Sequence, residues 1–590
     1  MADGPQWCPW AGRVAAEKEL KVTMIGQTAN SNLDRSRLAA ISQALQSQVS
    51  LDDIALEHGF ASSDELLMAL AETLDLDLVN LDELEVEPEL VTEFPAKLIH
   101  RHEIFPLSQQ GGQLRLAVSN PFDFHALDAV SAALRVGIQP VLARPEQLKK
   151  LIKATLGVGA ETLDGLLALQ RDEVDPELLK SLDGQDLEEA AQAQEASVVR
   201  LVNEILGEGI EARASDIHVE AQEQGLKLRY RIDGVLQRQP TAPEMNRFRS
   251  AIVSRLKIMA KLNIAEKRIP QDGRIKLRLK GREVDIRVSI IPMLHGESVV
   301  MRILDKENLK FSLQSLGMPW NVHTRFQQLI RLPHGIVLVT GPTGSGKTTT
   351  LYSALAEIRS EDTKIITTED PIEYQLEGIN QIQVHQKVGL TFAACLRSIL
   401  RHDPDVVLVG EIRDFETAES AIQASLTGHL VFSTLHTNDA ASAFLRLCDM
   451  GVEPFLVSST VEGVMAQRLV RRLCPECRRG VPLDSIQLPD DFPWSTLPAG
   501  TVSAGTVPEV FEAVGCPQCR GTGYRGRVGI YELLTTNDEI RHLAAHRAPT
   551  QDVRKAACQA GMQTLRQDAW AKLLEGVTTV DEVLRVTKPD

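Results

Sequence analysis

The sequence predicts a multidomain α/β protein whose central part is a doubly wound parallel sheet. Between residues 310 and 470, short apolar runs alternate with helix-compatible segments, which is typical of parallel strands joined by helices. With 590 residues, the chain is also too long for a single hydrophobic core. We therefore expect α+β domains before this central part, and a cysteine-containing region with a helical tail after it.

The first strand of this central part, predicted at 336–340, leads directly into the motif G-x-x-x-x-G-K-T. Glycines allow backbone N–H groups to close around phosphate oxygens, and the following helix points its positive end at them. Lys347 supplies a positive charge, and the Thr348 hydroxyl can bind Mg²⁺. We therefore predict a RecA-like P-loop ATPase core. The predicted ATP-binding residues are Gly341, Pro342, Thr343, Gly344, Ser345, Gly346, Lys347, Thr348 and Thr349.

The ends of the predicted strands indicate which other polar residues can reach the nucleotide, because ligands of a parallel sheet bind at the carboxyl ends of its strands. Glu411 lies just beyond the apolar strand at 406–409, and Asp405 lies just before it. We therefore assign Glu411 to Mg²⁺ and Asp405 to a structural role. His436 and His429 bracket the next strand in the same way, so His436 could sense the γ-phosphate, and His429 is the weaker candidate.

Three carboxylates, Glu369, Asp370 and Glu373, follow the strand predicted at 364–368. Hydrolysis needs a base that orients and polarises the attacking water. Either Glu373 or Glu369 could serve, and we favour Glu373. The alternative is an acidic turn without a catalytic role.

Four of the eight cysteines form two C-x-x-C pairs separated by 38 residues. Two such pairs supply the four thiolates that tetrahedral zinc prefers, so we predict a structural zinc site, with redox thiols or iron as alternatives. The predicted ligands are Cys474, Cys477, Cys516 and Cys519. The cysteines expected to pack as small apolar side chains are Cys8, Cys395, Cys448 and Cys558.

The net charge is −17, but the charge is unevenly distributed. Residues 161–195 contain 11 acidic and 2 basic side chains, whereas residues 246–306 contain 15 basic and 6 acidic ones. An acidic protein without an aromatic and basic stripe is a poor nucleic-acid binder, so no direct nucleic-acid partner is expected. A nucleic-acid translocase is nevertheless kept as an alternative.

The basic segment contains three arginines that could act on the nucleotide: Arg268, Arg274 and Arg287. An arginine that reaches the γ-phosphate from another domain or subunit stabilises the charge of the transition state. The alternative is a basic face that contacts only solvent.

The pattern along the chain predicts seven regions. They are a tail (1–32), an α/β docking domain (33–156), an acidic linker (157–195), a basic α+β domain packed on the core (196–309), the ATPase core (310–470), the tetracysteine region (471–525) and a helical C-terminal region (526–590). In the docking domain, Ser62 with Glu65 predicts a helix start. The chain has neither a transmembrane-length apolar run nor a signal-peptide core, so we expect no membrane-spanning helix and a cytoplasmic location.

These motifs together resemble those of the bacterial secretion ATPase superfamily. The resemblance covers about two thirds of the chain and rests on residues 341–348, 368–374, 410–414 and 424–437 and on the cysteine pairs. Residues 424–430 and 526–534 resemble the general secretion pathway protein E family more than type IV pilus assembly ATPases.

The resemblance implies a cytoplasmic hexameric ATPase that powers pseudopilus assembly and protein export across the outer membrane by a type II secretion system. It also implies zinc at the four cysteines, and inner-membrane anchor and platform proteins that hold the ATPase at the inner membrane. A pilus assembly ATPase is the alternative. Cyclic di-GMP is not expected, because residues 50–55 lack the R-L-G motif typical of family members that bind it.

Overall fold

The computed structural model describes residues 33–157, Thr162 and residues 184–589, with gaps at 34, 48–49, 84–89, 91–93, 95–97, 100–101, 280, 306–311 and 495–508. The predicted tail, Cys8 and most of the predicted linker lie outside these residues. The chain divides into two compact units, with the division between Leu187 and Glu188. No helix in the described part of the chain is both long enough and apolar enough to cross a membrane.

The N-terminal unit begins with three helices, in the segment 33–76 where the spacing of apolar residues predicts helical structure. They are α1 (Arg35–Gln46), α2 (Leu51–Glu57) and α3 (Ser63–Leu74). The hydroxyl of Ser62 accepts a hydrogen bond from the amide of Glu65 at 3.3 Å, which confirms the predicted helix start. Leu66 and Leu70, one turn apart, are fully buried against the sheet of the same unit.

That sheet has the strand order β1-β4-β3-β2 in the described part of the unit. Its elements are β1 (Leu78–Val79), β2 (Ile104–Gln110), β3 (Gln113–Val118), α4 (Phe124–Leu134), β4 (Gly137–Ala143) and α5 (Pro145–Leu156). The sequence pattern predicts strands at 114–118 and 138–142 and helices from Asp123 and from Pro145, and all four are confirmed. Strands β1 and β2 were not predicted. The unit is an α/β domain, as expected.

Helix α6 (Gly184–Glu211) crosses the division between the two units, whereas the sequence pattern predicts a helix only over 197–212. That prediction is wrong, and residues 184–195 of the predicted linker are helical. Their sequence is rich in alanine, glutamate and glutamine, which are strong helix formers. Here helix propensity outweighs the acidic charge on which the linker prediction rested.

The basic region folds as an antiparallel sheet with the order β7-β6-β5-β10-β9-β8 among the described residues. Its elements are β5 (Ala214–Gln222), β6 (Gly225–Ile232), β7 (Val235–Arg238), α7 (Arg249–Met259), β8 (Gln271–Leu279), β9 (Arg282–Met293) and β10 (Gly296–Asp305). The alternation at 226–232, followed by Asp233 and Gly234, predicts a hairpin. The pairing of β6 with β7 confirms it, and Asp233 and Gly234 form the turn with φ values of 48° and 85°. Strand β10 and helix α7 were not predicted.

The core is a mostly parallel sheet with the order β13-β12-β14-β15-β11-β16-β19 in the described part of the chain. Its elements up to β16 are α8 (Trp320–Leu329), β11 (Gly335–Thr340), α9 (Lys347–Ile358), β12 (Ile365–Glu369), β13 (Asn380–Gln383), α10 (Phe392–Ile399), β14 (Val406–Val409), α11 (Phe415–Leu426), β15 (Leu430–Leu435), α12 (Ser442–Asp449), α13 (Pro454–Thr460) and β16 (Val461–Leu473).

The central strands of this sheet are buried on both faces. In β11, Leu338 packs into one apolar cluster, while its neighbours Val337 and Val339 pack into another. Every residue of β11, β14 and β15 is buried. This pattern explains the continuous apolar runs in the sequence and confirms the doubly wound class.

The C-terminal part differs from the prediction in one respect. The remaining elements are β17 (Arg478–Pro482), β18 (Glu509–Ala513), β19 (Tyr524–Thr535), α14 (Asp538–Ala545), α15 (Thr550–Gln559), α16 (Leu565–Leu574) and α17 (Val580–Val586). The prediction of a helical region from residue 526 is wrong for β19, which pairs antiparallel with β16 from Gly463 to Leu473. This pairing joins segments far apart in sequence, so local spacing does not reveal it.

Candidate functional site

The glycine-rich loop joins β11 to α9, which confirms the predicted strand–loop–helix arrangement. Gly341 and Gly346 have φ values of 145° and 90°. A Cβ atom at Gly341 would lie 2.4 Å from the carbonyl oxygen of Gln467, and one at Gly346 would lie 2.8 Å from Nε2 of the same residue. Both ends of the loop therefore need glycine for backbone conformation and for space.

Lys347 is the first residue of α9, and its ammonium group lies against the loop. Its Nζ donates hydrogen bonds to the carbonyl oxygens of Gly341, at 2.8 Å, and of Pro342, at 3.1 Å. Burial lowers the pKa of Lys347, and the negative charge of Glu411 opposes that shift. The structure thus brings Lys347 and Glu411 into one electrostatic environment.

Glu411 and His436 meet at the carboxyl ends of β14 and β15. His436 Nε2 lies 3.2 Å from Glu411 Oε2, and Nε of Arg413 forms an ion pair with the same oxygen at 2.7 Å. The side chain of Glu411 is 14% exposed and that of His436 is 45% exposed. Both residues therefore lie at the edge of the sheet to which they were assigned from the sequence.

Asp405 and His429 lie at the opposite ends of the same strands. Asp405 Oδ2 accepts a hydrogen bond from the backbone amide of Lys364 at 2.7 Å. His429 Nδ1 lies 2.9 Å from the carbonyl oxygen of Ala424. Both side chains bond to the backbone away from the phosphate loop, as expected for structural residues.

The two candidate bases, Glu369 and Glu373, have different environments in the structure, a difference that the sequence does not show. The carboxylate of Glu369 is buried and accepts hydrogen bonds from three side chains: the hydroxyl of Tyr352, the hydroxyl of Thr367 at 2.6 Å and the amide of Gln381 at 3.0 Å. These bonds fix Glu369 within the fold.

Glu373 has a different environment from Glu369. Partial burial raises its pKa, and the nearby charges of Arg287 and Arg302 oppose that shift. The Thr348 hydroxyl, the candidate Mg²⁺ ligand, also lies close enough to lower the pKa of Glu373. Of the two candidate bases, Glu373 is thus the one whose carboxylate interacts with Thr348 at the phosphate loop.

Two of the three candidate arginines lie next to each other on the basic domain. Arg274 of β8 and Arg287 of β9 are directly paired across the two strands. Arg287 Nη2 donates to the carbonyl oxygen of Ile372 at 3.3 Å, which joins the basic domain to the loop that carries Glu373. Burial lowers the pKa of Arg287, and the charge of Glu373 opposes this.

Arg302 was not singled out from the sequence, but it lies on β10 opposite Arg287. With Arg274 and Arg287 it lines a cleft of about 490 Å³. A prediction of strand β10 would have placed Arg302 beside Arg287, but this strand was not predicted from the sequence. Arg268, by contrast, lies on an exposed loop, where its guanidinium bonds to Glu266 at 2.7 and 3.0 Å.

The four predicted cysteine ligands converge. Their sulfur atoms all lie within 4.8 Å of one another, and this group could hold a metal ion. The Sγ atoms of Cys474 and Cys516 are 3.8 Å apart, as are those of Cys477 and Cys519. Burial disfavours a thiolate at Cys519, but hydrogen bonds from the amides of Cys516 and Gly523 lower its pKa to about 7.

Among the other cysteines, Cys395 and Cys448 are buried, as expected for packing residues. Cys558 is exposed, so the expectation is wrong for that residue. Its helix, α15, buries Val553, Ala556 and Ala557 instead.

Comparisons with known proteins identify the family. The model of the family described as "Type II/IV secretion system protein" matches residues 191–585, and the MshEN domain model matches residues 74–161. Type IV pilus assembly ATPase PilB of Myxococcus xanthus is 42% identical over 544 residues, which are 91% of this chain and 93% of PilB. Type II secretion system protein E of Xanthomonas campestris pv. campestris is 43% identical over 551 residues, covering 90% of this chain and 92% of that protein.

Identity is higher where the aligned stretch is shorter. Type II secretion system protein E of Pseudomonas aeruginosa is 53% identical over 399 residues, which are 68% of this chain and 77% of that protein. The phosphate loop and the carboxylates around it lie within the matched region. The chain therefore belongs to the type II/IV secretion system family of ATPases, and it is a relative of type II secretion system protein E.

Proposed function

We propose that this ATPase binds Mg²⁺·ATP between its core and a basic domain, and that hydrolysis moves one domain against the other. The resulting movement would drive pseudopilus assembly and protein export by a type II secretion system. The observation that carries the proposal is the contact between Arg287 of the basic domain and the carbonyl of Ile372, beside Glu373 and the phosphate loop. A basic group at this position can stabilise the charge of the transition state.

Each residue of the site has a proposed role. The backbone of the loop and Lys347 bind the β- and γ-phosphates, and Thr348 and Glu411 hold Mg²⁺, which neutralises phosphate charge when it is bound. Glu373 orients the attacking water, and His436 responds to the γ-phosphate through Glu411, which it already contacts.

The arginines complete the proposed site. Arg274 and Arg287 act from the basic domain on the nucleotide beside Glu373, and the chain assembles as a homohexamer with a subunit boundary at the basic domain. Arg268, on its exposed loop, is proposed to act at the same subunit boundary. Support for the pair Arg274 and Arg287 is their shared cleft and the unpartnered, buried Nε of Arg287.

We also propose that the four cysteines bind structural zinc. Tetrahedral zinc–thiolate bonds of about 2.3 Å place sulfur atoms about 3.8 Å apart, which is the separation of Cys474 from Cys516. Four thiolates leave no open position for catalysis. Metal analysis of the purified protein should find one zinc per chain, and Cys474→Ser should lose it and unfold at a lower temperature. Iron, or a protein without metal and with unchanged stability, would contradict this assignment.

In the cell, we infer a cytoplasmic protein that is held peripherally at the inner membrane. The predicted docking domain, residues 33–156, would bind an anchor protein, and platform proteins would receive the mechanical work. Cyclic di-GMP is not a proposed ligand because the R-L-G motif is missing. Since this region overlaps the MshEN match, equilibrium dialysis with cyclic di-GMP is the direct test, and saturable binding would overturn the proposal.

Steady-state ATP hydrolysis tests the proposed load. The purified protein would be assayed alone, with single-stranded DNA, and with inner-membrane vesicles from its own cells, with Lys347→Ala as the inactive control. We expect low activity that vesicles stimulate and DNA does not. Stimulation by DNA would instead favour a nucleic-acid translocase.

A pilus assembly ATPase is the second candidate function, because identity over nearly the full length is 42% to PilB and 43% to protein E. Deletion of the gene in its own organism separates the two. Loss of exported proteins from the medium with normal surface pili supports the secretion function. Loss of pili with normal export would support the alternative.

A further inference from the structure

A buried glutamine, Gln467, lies directly beneath the phosphate loop, and nothing in the proposed mechanism uses it. We propose that Gln467 is a positioning residue for ATP hydrolysis: its carboxamide bonds to the first turn of α9 and contacts the end of the loop, and so holds the loop in the conformation that receives phosphates. This inference rests on the proposed nucleotide site and adds to it a residue that does not touch the nucleotide.

The first observation is a buried hydrogen bond. Oε1 of Gln467 accepts from the hydroxyl of Thr350 at 2.7 Å. Gln467 is 2% exposed and Thr350 is fully buried, so water does not compete for the bond. Removal of either partner would leave a buried polar group unsatisfied, which is more costly than loss of a bond at the surface.

The second observation is the position of Gln467 in the sheet. Strand β16 pairs with β11 up to the contact between Ala466 and Thr340, the last residue before the loop. Gln467 is therefore the first residue of β16 to extend past β11. Its carbonyl oxygen limits the space at Gly341, and its Nε2 limits the space at Gly346. One residue thus supports both ends of the loop.

The third observation concerns the helix. Thr350 follows Lys347 by three residues, so the two side chains are neighbours on one turn of α9. A bond that fixes Thr350 also fixes the rotation of this turn about the helix axis. The directions of the Lys347 and Thr348 side chains toward the phosphates depend on that rotation.

The test uses two variants that keep side-chain size but remove the hydrogen bond, Gln467→Met and Thr350→Val, together with the double variant. We would measure the Kd of a fluorescent ADP analogue, KM and kcat for ATP, and the Tm. Each single variant should raise Kd and KM by about tenfold, which is the effect of a buried neutral hydrogen bond, with a smaller change in kcat. The double variant should be no weaker than the weaker single variant, because both changes break the same bond.

Thr350→Ser keeps the hydroxyl and should bind the analogue like the parent, even if Gln467→Met fails to fold. Unchanged Kd with a lowered Tm, or fully additive effects in the double variant, would overturn the inference and leave Gln467 as a packing residue. Binding of the ADP analogue to Lys347→Ala tests the proposed nucleotide site independently of Gln467. If Lys347→Ala bound the analogue like the parent, the nucleotide site itself would be wrongly assigned.

Discussion

The two ends of strands β14 and β15 carry the same types of side chain in different environments. At the carboxyl ends, Glu411 and His436 interact with each other and with Arg413. At the amino ends, Asp405 is bonded to a backbone amide, and His429 contacts a backbone carbonyl and the hydroxyl of Thr427. Glu411 and His436 lie at the edge of the sheet where β11 leads into the phosphate loop, whereas Asp405 and His429 lie at the other edge. The end of the strand that a residue occupies, more than its type, therefore indicates its role.

The largest change in kcat is expected in a comparison of two carboxylates at the same edge of the sheet, Glu373 and Glu369. Glu373→Gln should lower kcat for ATP by about a hundredfold or more, because an amide cannot act as the base that polarises water. Glu369→Gln should retain most of the activity but lower the Tm, since its amide would face the hydroxyl donors of Tyr352 and Thr367. Parallel assays of ATP hydrolysis and thermal unfolding check both. The reverse pattern would make Glu369 the base.

The pH dependence of hydrolysis sharpens the same distinction. Burial raises the pKa of Glu373 above that of an ordinary glutamate, so the base is protonated and kcat/KM falls, by about tenfold per pH unit, as the pH drops through this raised value. The charge of Arg287 opposes the rise in pKa, so Arg287→Gln should move the acidic limb of the profile to higher pH. A limb that stays in place would exclude Glu373 as the titrating group.

The raised pKa of Glu373 affects stability in the opposite direction: acidic pH lowers activity but stabilises the fold. Because the folded protein holds the Glu373 proton more tightly than the unfolded chain does, this group favours folding at acidic pH. That contribution is lost as the pH rises through the folded-state pKa. The free energy of unfolding of Glu373→Gln should therefore depend less on pH in this range than that of the parent.

The smallest expected effect concerns the histidines. His436→Gln should lower kcat by about tenfold, because its partner Glu411 is a proposed Mg²⁺ ligand. His429→Gln should leave kcat within about twofold of the parent, because its bonds are to the opposite edge of the sheet. If the two changes lowered steady-state hydrolysis equally, the carboxyl and amino ends of the strands would not differ in function as we predict.

Much of the site could be predicted from sequence because its signals are local. The phosphate loop is one continuous segment, and the rule that ligands bind at the carboxyl ends of strands needs only strand direction. That rule placed Glu411 and His436 correctly on one side, and Asp405 on the other. The two C-x-x-C pairs are likewise local signals, and the preference of zinc for four thiolates predicts that they converge.

The remaining features depend on contacts between distant segments. Gln467 meets Thr350 only because β16 lies beside β11, and Arg302 meets Arg287 only because β10 pairs with β9. The burial of Glu369 depends on Tyr352 and on Gln381, which belong to other elements. Local periodicity contains no information on such pairings, so these residues could be found only in the folded structure.

The most direct test of the account compares Glu411→Gln with Asp405→Asn, two charge-neutralising changes at opposite ends of β14. Steady-state ATP hydrolysis would be measured for both variants and the parent, with binding of a fluorescent ATP analogue as a control for folding. We predict that Glu411→Gln binds the nucleotide but hydrolyses it about a hundredfold more slowly, while Asp405→Asn stays near the parent rate. Hydrolysis by Glu411→Gln at the parent rate would contradict the assignment of the carboxyl edge as the catalytic site.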